Sequence, residues 1–211
     1  MSRIASREPA TVQLTARLSR SDLLWVANTA HGAGGHWHAR VHGGEPDHDH
    51  LDSPDSARTY LADHGVPVPT EAPDPVALAE LAIVREMVDR LLVAPEADPW
   101  TDAGRALMAS ASYSIDPSGN IGDAQSGWRG FCRDLLLPLL ALIADSVPLR
   151  QCANPACRLV FEDGSRNHGR RWCDTKGCGN RDRVGRARGR GSAVAESSPR
   201  PPQRVDGFRA S

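Results

Sequence analysis

The sequence lacks the segments that mark membrane-spanning and secreted proteins. Its longest apolar run, Leu135 to Ala144, has ten residues and contains Pro138, whereas a helix needs roughly 20 apolar residues to span a bilayer. The first nine residues, Met1 to Pro9, contain no apolar stretch of the kind that a secretory signal requires. We therefore expect a cytoplasmic protein without membrane contact.

Catalytic motifs are also missing. The first 149 residues offer no Ser, Cys or Thr nucleophile with a convincing partner base. Gly32-Ala33-Gly34-Gly35 has neither the lysine of a P-loop nor the glycine spacing of a dinucleotide site. These absences predict that the protein is not an enzyme.

Aromatic residues are scarce and the net charge is close to zero. With 5% aromatic and 40% hydrophobic residues, the composition predicts a globular protein whose core is built from Leu, Ala and Val. The formal charge of −1 hides a strong asymmetry, since residues 150–190 carry eleven Arg or Lys against four Asp or Glu, while residues 1–149 sum to −9. A basic segment on an acidic body favours a polyanionic partner.

Four of the five cysteines form two pairs within this basic segment, which we call the finger. Four residues separate Cys152 from Cys157, four separate Cys173 from Cys178, and fifteen lie between the pairs. This spacing predicts a structural site in which four thiolates hold one Zn²⁺, leaving the finger with a charge of about +5. Two disulfides, or free thiols in a core, are the alternatives; the lack of a secretory signal disfavours the disulfides.

Residues around these cysteines closely resemble the CGNR zinc finger. The match consists of Phe161, Asp163, Ser165-Arg166-Asn167, Arg170-Arg171-Trp172-Cys173 and Cys178-Gly179-Asn180-Arg181. That finger closes a family of bacterial proteins whose larger N-terminal part is the ABATE domain. The apolar run from Leu23 to Thr29, which ends in Asn-Thr, is similar to the segment that opens this domain. The resemblance implies a stress-induced transcription regulator.

Charge and resemblance together predict a zinc-finger transcription regulator that binds DNA, with an N-terminal domain that senses a signal or forms a homodimer. The alternative is a zinc knuckle that contacts protein or RNA without sequence-specific DNA binding. The residues expected to contact nucleic acid are arginines of the finger, namely Arg166, Arg170, Arg171, Arg181, Arg183, Arg186, Arg188 and Arg190.

A basic helix follows the CGNR residues in the resembling family, and here Asn180 is placed to cap it. The glycines at 185, 189 and 191 weaken such a helix, and the arginines do not form one stripe. We therefore expect a flexible arm that lies along phosphates. Phe161 and Trp172 are expected to pack beside the zinc, with base stacking by Trp172 as the alternative.

The fold is predicted to be mainly α, α+β overall, with a helical domain over 1–149, the finger over 150–190 and a disordered tail over 191–211. Helices are expected after Ser53, from Val76, before Ala109, and from Trp128 to Asp145 with a kink at Pro138. A short strand over Thr11–Thr15 and a hairpin around residues 116–120 are the predicted β-structure.

Three smaller features of the N-terminal domain have two interpretations each. Seven of the eight histidines lie between residues 31 and 64, and we expect an exposed loop over 31–50 rather than a second metal site. Asn28 and Thr29 are expected to cap a buried helix rather than to bind a partner. Cys132 is expected to be a buried structural thiol rather than a fifth ligand.

Overall fold

A computed structural model describes residues 15–31, 48–154, 157–185 and 187. Short strands, α-helices and two other helical turns follow one another along these ranges. In chain order the elements are β1 (Thr15–Ala16), α1 (Arg20–Ala27), β2 (Ala30–His31), β3 (His48–Asp49), a 3₁₀ turn (His50–Asp52), α2 (Pro54–Asp63), α3 (Pro75–Val93), α4 (Asp102–Ala109), β4 (Tyr113–Ile115), β5 (Asn120–Asp123), α5 (Gly127–Asp134), α6 (Leu136–Asp145), β6 (Leu149–Gln151), β7 (Val160–Glu162) and a π-helical turn (Thr175–Gly179).

Helices α1 to α4 begin where side chains accept from their first N–H groups. The Ser19 side chain accepts from the Asp22 N–H, and the Asp22 carboxylate accepts from the Ser19 N–H, so that α1 starts with a capping box. Ser53, Asp74 and Thr101 cap α2, α3 and α4, and the side chain of each accepts from one backbone N–H of the first turn. The helices predicted over these ranges are confirmed.

The last long helix differs from its prediction. A single helix with a kink at Pro138 was expected, but the chain forms two helices, α5 and α6, separated at Leu135. Pro138 therefore lies in the first turn of α6, where a missing N–H costs no hydrogen bond. The break precedes the proline because its ring excludes a regular helix over the preceding turn.

The predicted hairpin is confirmed, with β4 and β5 antiparallel and Gly119 at a φ of 86° in the turn. β1 adds to β5 in parallel, pairing Thr15 with Asn120. Two further antiparallel pairs, β2–β3 and β6–β7, stand alone. Of the strand predicted over Thr11–Thr15, only Thr15 lies within the described residues.

One apolar core joins α1 to α6, and it is mainly aliphatic, as the composition predicts. Its aromatic members include Tyr60, which is fully buried, and Trp128 and Phe131, whose rings meet edge to face. Cys132 is fully buried and its S–H donates to the Ala77 carbonyl; burial raises the pKa of this thiol. The mainly α fold and the structural role of Cys132 are confirmed.

The histidine-rich segment lies largely outside the described residues, which resume at His48. His48 and Asp49 form β3, paired with Ala30–His31, so the predicted loop ends before residue 50. His50 is buried, hydrogen-bonds Ser56 and stacks on the Tyr60 ring at 4.2 Å. The ends of the segment thus belong to the domain.

The chain divides by its internal contacts into two compact units, Met1–Cys173 and Asp174–Ser211. The first unit contains the N-terminal domain together with the first part of the finger. Among the described residues, no helix is both long and apolar enough to cross a bilayer.

Candidate metal centre

The first cysteine pair lies between the two strands of a small antiparallel sheet. β6 and β7 pair with Arg150 opposite Phe161, and the Cys152 N–H continues the ladder to the Leu159 carbonyl at 2.8 Å. The Cys157 and Arg158 N–H groups both donate to the Asn154 carbonyl, at 2.8 and 3.1 Å. Arg158 then takes a left-handed φ of 55°. Both cysteine side chains are buried.

A buried carboxylate organises the loop that leads to the second pair. Asp163 is fully buried, and its two oxygens accept from the Ser165 N–H and hydroxyl and from the Arg170 N–H. These donors, the Ser165 hydroxyl first, hold the pKa of Asp163 below its ordinary value, and the Arg150 guanidinium at 3.7 Å acts in the same direction. The loop over 163–170 is therefore folded around one ionised carboxylate.

Arg170 connects this loop to Cys173. Its guanidinium lies 5.1 Å from the Phe161 ring centroid and donates to the carbonyls of Trp172 and Cys173. Arg171 lies at the same distance over the Trp172 ring, and its carbonyl accepts from the Ala153 N–H at 2.8 Å. Trp172 is half-buried, with its indole nitrogen shielded from solvent. These contacts hold residues 170–173 beside the segment that contains Cys152.

The second unit begins with a capped helical segment. The Asp174 carboxylate accepts from the N–H groups of Lys176 and Gly177, which starts the π-helical turn that contains Cys178. Residues 180–185 continue directly as α-helix. Asn180 has helical dihedral angles inside this segment, so the expectation that Asn180 is the N-cap is wrong; Asp174 has that role.

The four cysteines come together at one point. Their Sγ atoms all lie within 4.8 Å of one another, and only Cys173 is more than slightly exposed. A zinc–sulfur bond of about 2.3 Å places thiolates of a tetrahedron about 3.8 Å apart. None of the five cysteines, all in the described ranges, forms a disulfide; Cys157 and Cys173 are 3.5 Å apart at sulfur, against about 2.05 Å for a disulfide bond. This donor set fits Zn²⁺.

The predicted nucleic-acid contacts divide into three groups. Arg166, Arg171, Arg181 and Arg183 have exposed side chains, and the Arg183 Nε donates to the Gly179 carbonyl. Arg170 is exposed but bonded within the finger. The remaining three lie outside the described residues; they are Arg186, Arg188 and Arg190.

One residue of the N-terminal domain, Asn28, contacts the finger, and the sequence did not predict this contact. The Asn28 carboxamide pairs with both backbone groups of Val160 in β7, across 132 positions. Asn28 also caps α1, and the Thr29 hydroxyl donates to the Val26 carbonyl, so the predicted capping is confirmed. The Asn-Thr resemblance marked the position but gave no indication of this contact.

Comparison with known protein families matches both parts of the chain. Residues 24–147 match the ABATE family, described as "Putative stress-induced transcription regulator". Residues 149–191 match the CGNR zinc finger. A search of curated proteins finds no match. The predicted order of domain and zinc-binding finger is confirmed, and the chain belongs to the ABATE family, with a CGNR zinc finger following the ABATE domain.

Proposed function

We propose that the protein is a transcription regulator that binds DNA through its finger, while the ABATE domain senses a signal or forms a homodimer. In this proposal Cys152, Cys157, Cys173 and Cys178 hold one Zn²⁺. The observation that carries it is the charge of the finger, net +7 before zinc on an otherwise acidic chain, with several arginines exposed. Clustered arginines neutralise phosphates and release their counterions. The matched families support the regulatory role, and we propose that the protein acts in the cytoplasm.

The zinc in this proposal is structural. When bound, Zn²⁺ joins the two cysteine pairs, and four thiolates leave no open position for a reacting water molecule. The surrounding residues hold the ligands in place: Asn154 orients Cys157, Asp163 folds the connecting loop, and Asp174 starts the turn that carries Cys178. Neither matched family is described as an enzyme, and we assign no catalytic role.

Among the candidate arginines, Arg170 is assigned to the finger itself, because two carbonyls and the Phe161 ring occupy its guanidinium. Arg166, Arg181 and Arg183 are assigned to DNA phosphates. On the helical stretch over 180–185, a rotation of 100° per residue separates Arg181 and Arg183 by about 200°. Since one groove-facing surface cannot present both, the proposal predicts backbone contacts with weak sequence preference.

The test is the salt dependence of binding to a fluorescently labelled DNA duplex, measured by anisotropy. Replacing Arg181 and Arg183 together by Ala removes two phosphate contacts, so the plot of log K against log salt should become shallower by about 2. The matched control is Arg90→Ala with Arg105→Ala, which removes two exposed arginines of the ABATE domain and should leave the slope unchanged.

Two results contradict the proposal. One is a finger variant whose affinity and slope equal those of the parent protein. The other is a parent protein that fails to bind duplex DNA at low salt; that result favours the alternative of a zinc knuckle for protein or RNA.

A further inference from the structure

Asn28 is a buried polar residue, 5% exposed, whose side chain serves the finger rather than its own domain. Its Nδ2 donates to the Val160 carbonyl at 2.9 Å, and its Oδ1 accepts from the Val160 N–H at 2.8 Å. A carboxamide that pairs with both groups of one residue imitates the peptide of a neighbouring strand. The Asn28 side chain thus pairs with the edge of β7 that faces away from β6.

The register of the hairpin explains why Val160 is available for this pairing. In an antiparallel pair, residues alternate between those that exchange hydrogen bonds across the ladder and those that direct them outward. The bond from the Cys152 N–H to the Leu159 carbonyl assigns Val160, opposite Gln151, to the second class. Val160 is only 7% exposed, so its outward N–H and C=O depend on Asn28 for partners away from water.

Asn28 is itself held firmly in the ABATE domain. Its N–H donates to the Leu24 carbonyl at the end of α1, and its carbonyl accepts from the Tyr60 hydroxyl at 2.9 Å. The Tyr60 ring is fully buried and lies against Trp25, His50 and His64. One residue therefore connects the aromatic centre of the domain to the zinc-binding hairpin.

The described residues also show an apolar contact and an ion pair between the hairpin and the same domain, and both constrain its position less than the bonds to Asn28. Leu149 in β6 packs against the apolar core, and Glu162 in β7 lies 4.0 Å from the Arg20 guanidinium. Apolar packing and a partly buried ion pair at 4.0 Å tolerate small shifts of the hairpin. The paired bonds to Asn28 do not, because hydrogen bonds weaken steeply with distance and angle.

We propose that Asn28 is a positioning residue that couples zinc binding in the finger to the stability of the ABATE domain. Val160 follows Cys157 by three residues, and the same hairpin fixes Cys152 through the Leu159 carbonyl. Zinc holds this hairpin in the form that pairs with Asn28, and Asn28 holds the hairpin in the form that presents two thiolates. Each event lowers the cost of the other, and the coupling free energy is equal in both directions.

A regulatory consequence follows for the whole chain. A ligand or partner that orders the end of α1, where Asn28 lies, raises the zinc affinity of the finger, and removal of zinc loosens the domain around Tyr60. This inference does not rest on DNA binding, because it concerns only metal affinity and stability.

The experiment combines Asn28→Ala with zinc removal in the full-length protein. We expect the variant to bind zinc about tenfold more weakly in competition with a chelating dye, since two buried hydrogen bonds are lost. In the parent protein, we expect chelation of zinc to lower the Tm of the helices, which is followed by circular dichroism. In Asn28→Ala, most of that decrease in Tm should disappear, because the bonds between Asn28 and Val160 are already absent.

Thr29→Val is the matched control. Thr29 is the next residue, fully buried, and its hydroxyl bonds Val26 and Arg85 within the ABATE domain. This variant should have a lower Tm but the zinc affinity and the chelation shift of the parent. Equal zinc affinity in Asn28→Ala and the parent, or an undiminished chelation shift in Asn28→Ala, overturns the proposal.

A measurement on the parent protein covers the case in which Asn28→Ala does not fold. Amide hydrogen exchange in α1 and around Tyr60 is compared with and without zinc. We expect faster exchange there after chelation, as local opening follows the loss of the hairpin. Unchanged exchange in those segments contradicts the coupling.

Discussion

At the scale of single residues, charged side chains hold the backbone turns of this protein in place. Arg85 in α3 forms two bonds to the Asp49 carboxylate, at 2.7 and 2.8 Å, and a third to the Thr29 hydroxyl. Burial opposes the ionised form of Asp49, but the bonds from Arg85 and from the Leu51 N–H outweigh it and lower the pKa of Asp49. The pair ties β3 to α3.

This pair predicts a pH-dependent contribution to stability. Because the folded pKa of Asp49 lies below the unfolded value of about 3.9, its contribution is present above that pH and is lost as the pH falls through the folded value. Asp49→Asn should therefore lower the urea midpoint clearly at pH 7 and much less near pH 3. Zinc-free protein is used throughout so that protonation of thiolates does not contribute.

The control for this prediction is Asp52→Asn, an exposed neighbour, which should leave the midpoint almost unchanged. A midpoint difference between Asp49→Asn and the parent that is equal at both pH values contradicts the assignment.

The sequence predicts residue roles well where a local rule applies. Ser53 and Asp74 are followed by proline and then by a helical pattern, and both are caps. Asn28 follows no such rule in its second role, because its partner Val160 is distant in sequence and uses only backbone groups. Asn180 looked like a cap, but Asp174 comes earlier and carries the acceptor, so the helical segment starts there.

At the scale of elements, the periodicity of apolar residues predicted where the helices lie, but some helices begin or end at other residues than predicted. The α3 pattern was plain because Leu81, Val84 and Val88 recur at helical intervals, and all three are fully buried. The division between α5 and α6 was not predicted, because the apolar run that begins at Leu135 gives no periodic signal and Pro138 was the only visible irregularity in it. Gly185 lies in a helix despite its low propensity, so the first glycine does not interrupt the segment as expected.

The finger as an element depends on all four cysteines. Cys173→Ser should reduce the zinc content from one per chain to near zero and unfold the finger, since zinc supplies on the order of 10 kcal/mol to comparable units. The helical signal of the ABATE domain should remain, with a lowered Tm. Metal content is read by mass spectrometry of the native protein.

Cys132→Ala serves as the control, because Cys132 is buried in α5, away from the metal centre. It should retain one zinc per chain. Full zinc content in Cys173→Ser would remove Cys173 from the ligand set.

At the scale of the whole molecule, an acidic domain and a basic finger share one chain. The charge pattern and the cysteine spacing are visible in sequence, because both are properties of composition and order. The way in which β6 and β7 join the ABATE domain is not, because it depends on backbone groups brought together by folding. In the proposed function, zinc orders the finger, and the ordered finger presents its arginines to DNA.

The most direct test compares zinc-loaded and chelated protein for binding to the same labelled duplex at low salt. We predict that the zinc-loaded protein binds the duplex and that chelation reduces the affinity at least tenfold. Added Zn²⁺ should restore the affinity. Added Mg²⁺ should not, since hard cations prefer oxygen ligands to thiolates. Chelated protein that binds as tightly as the loaded form would contradict the claim that the zinc-ordered finger is the DNA-binding part.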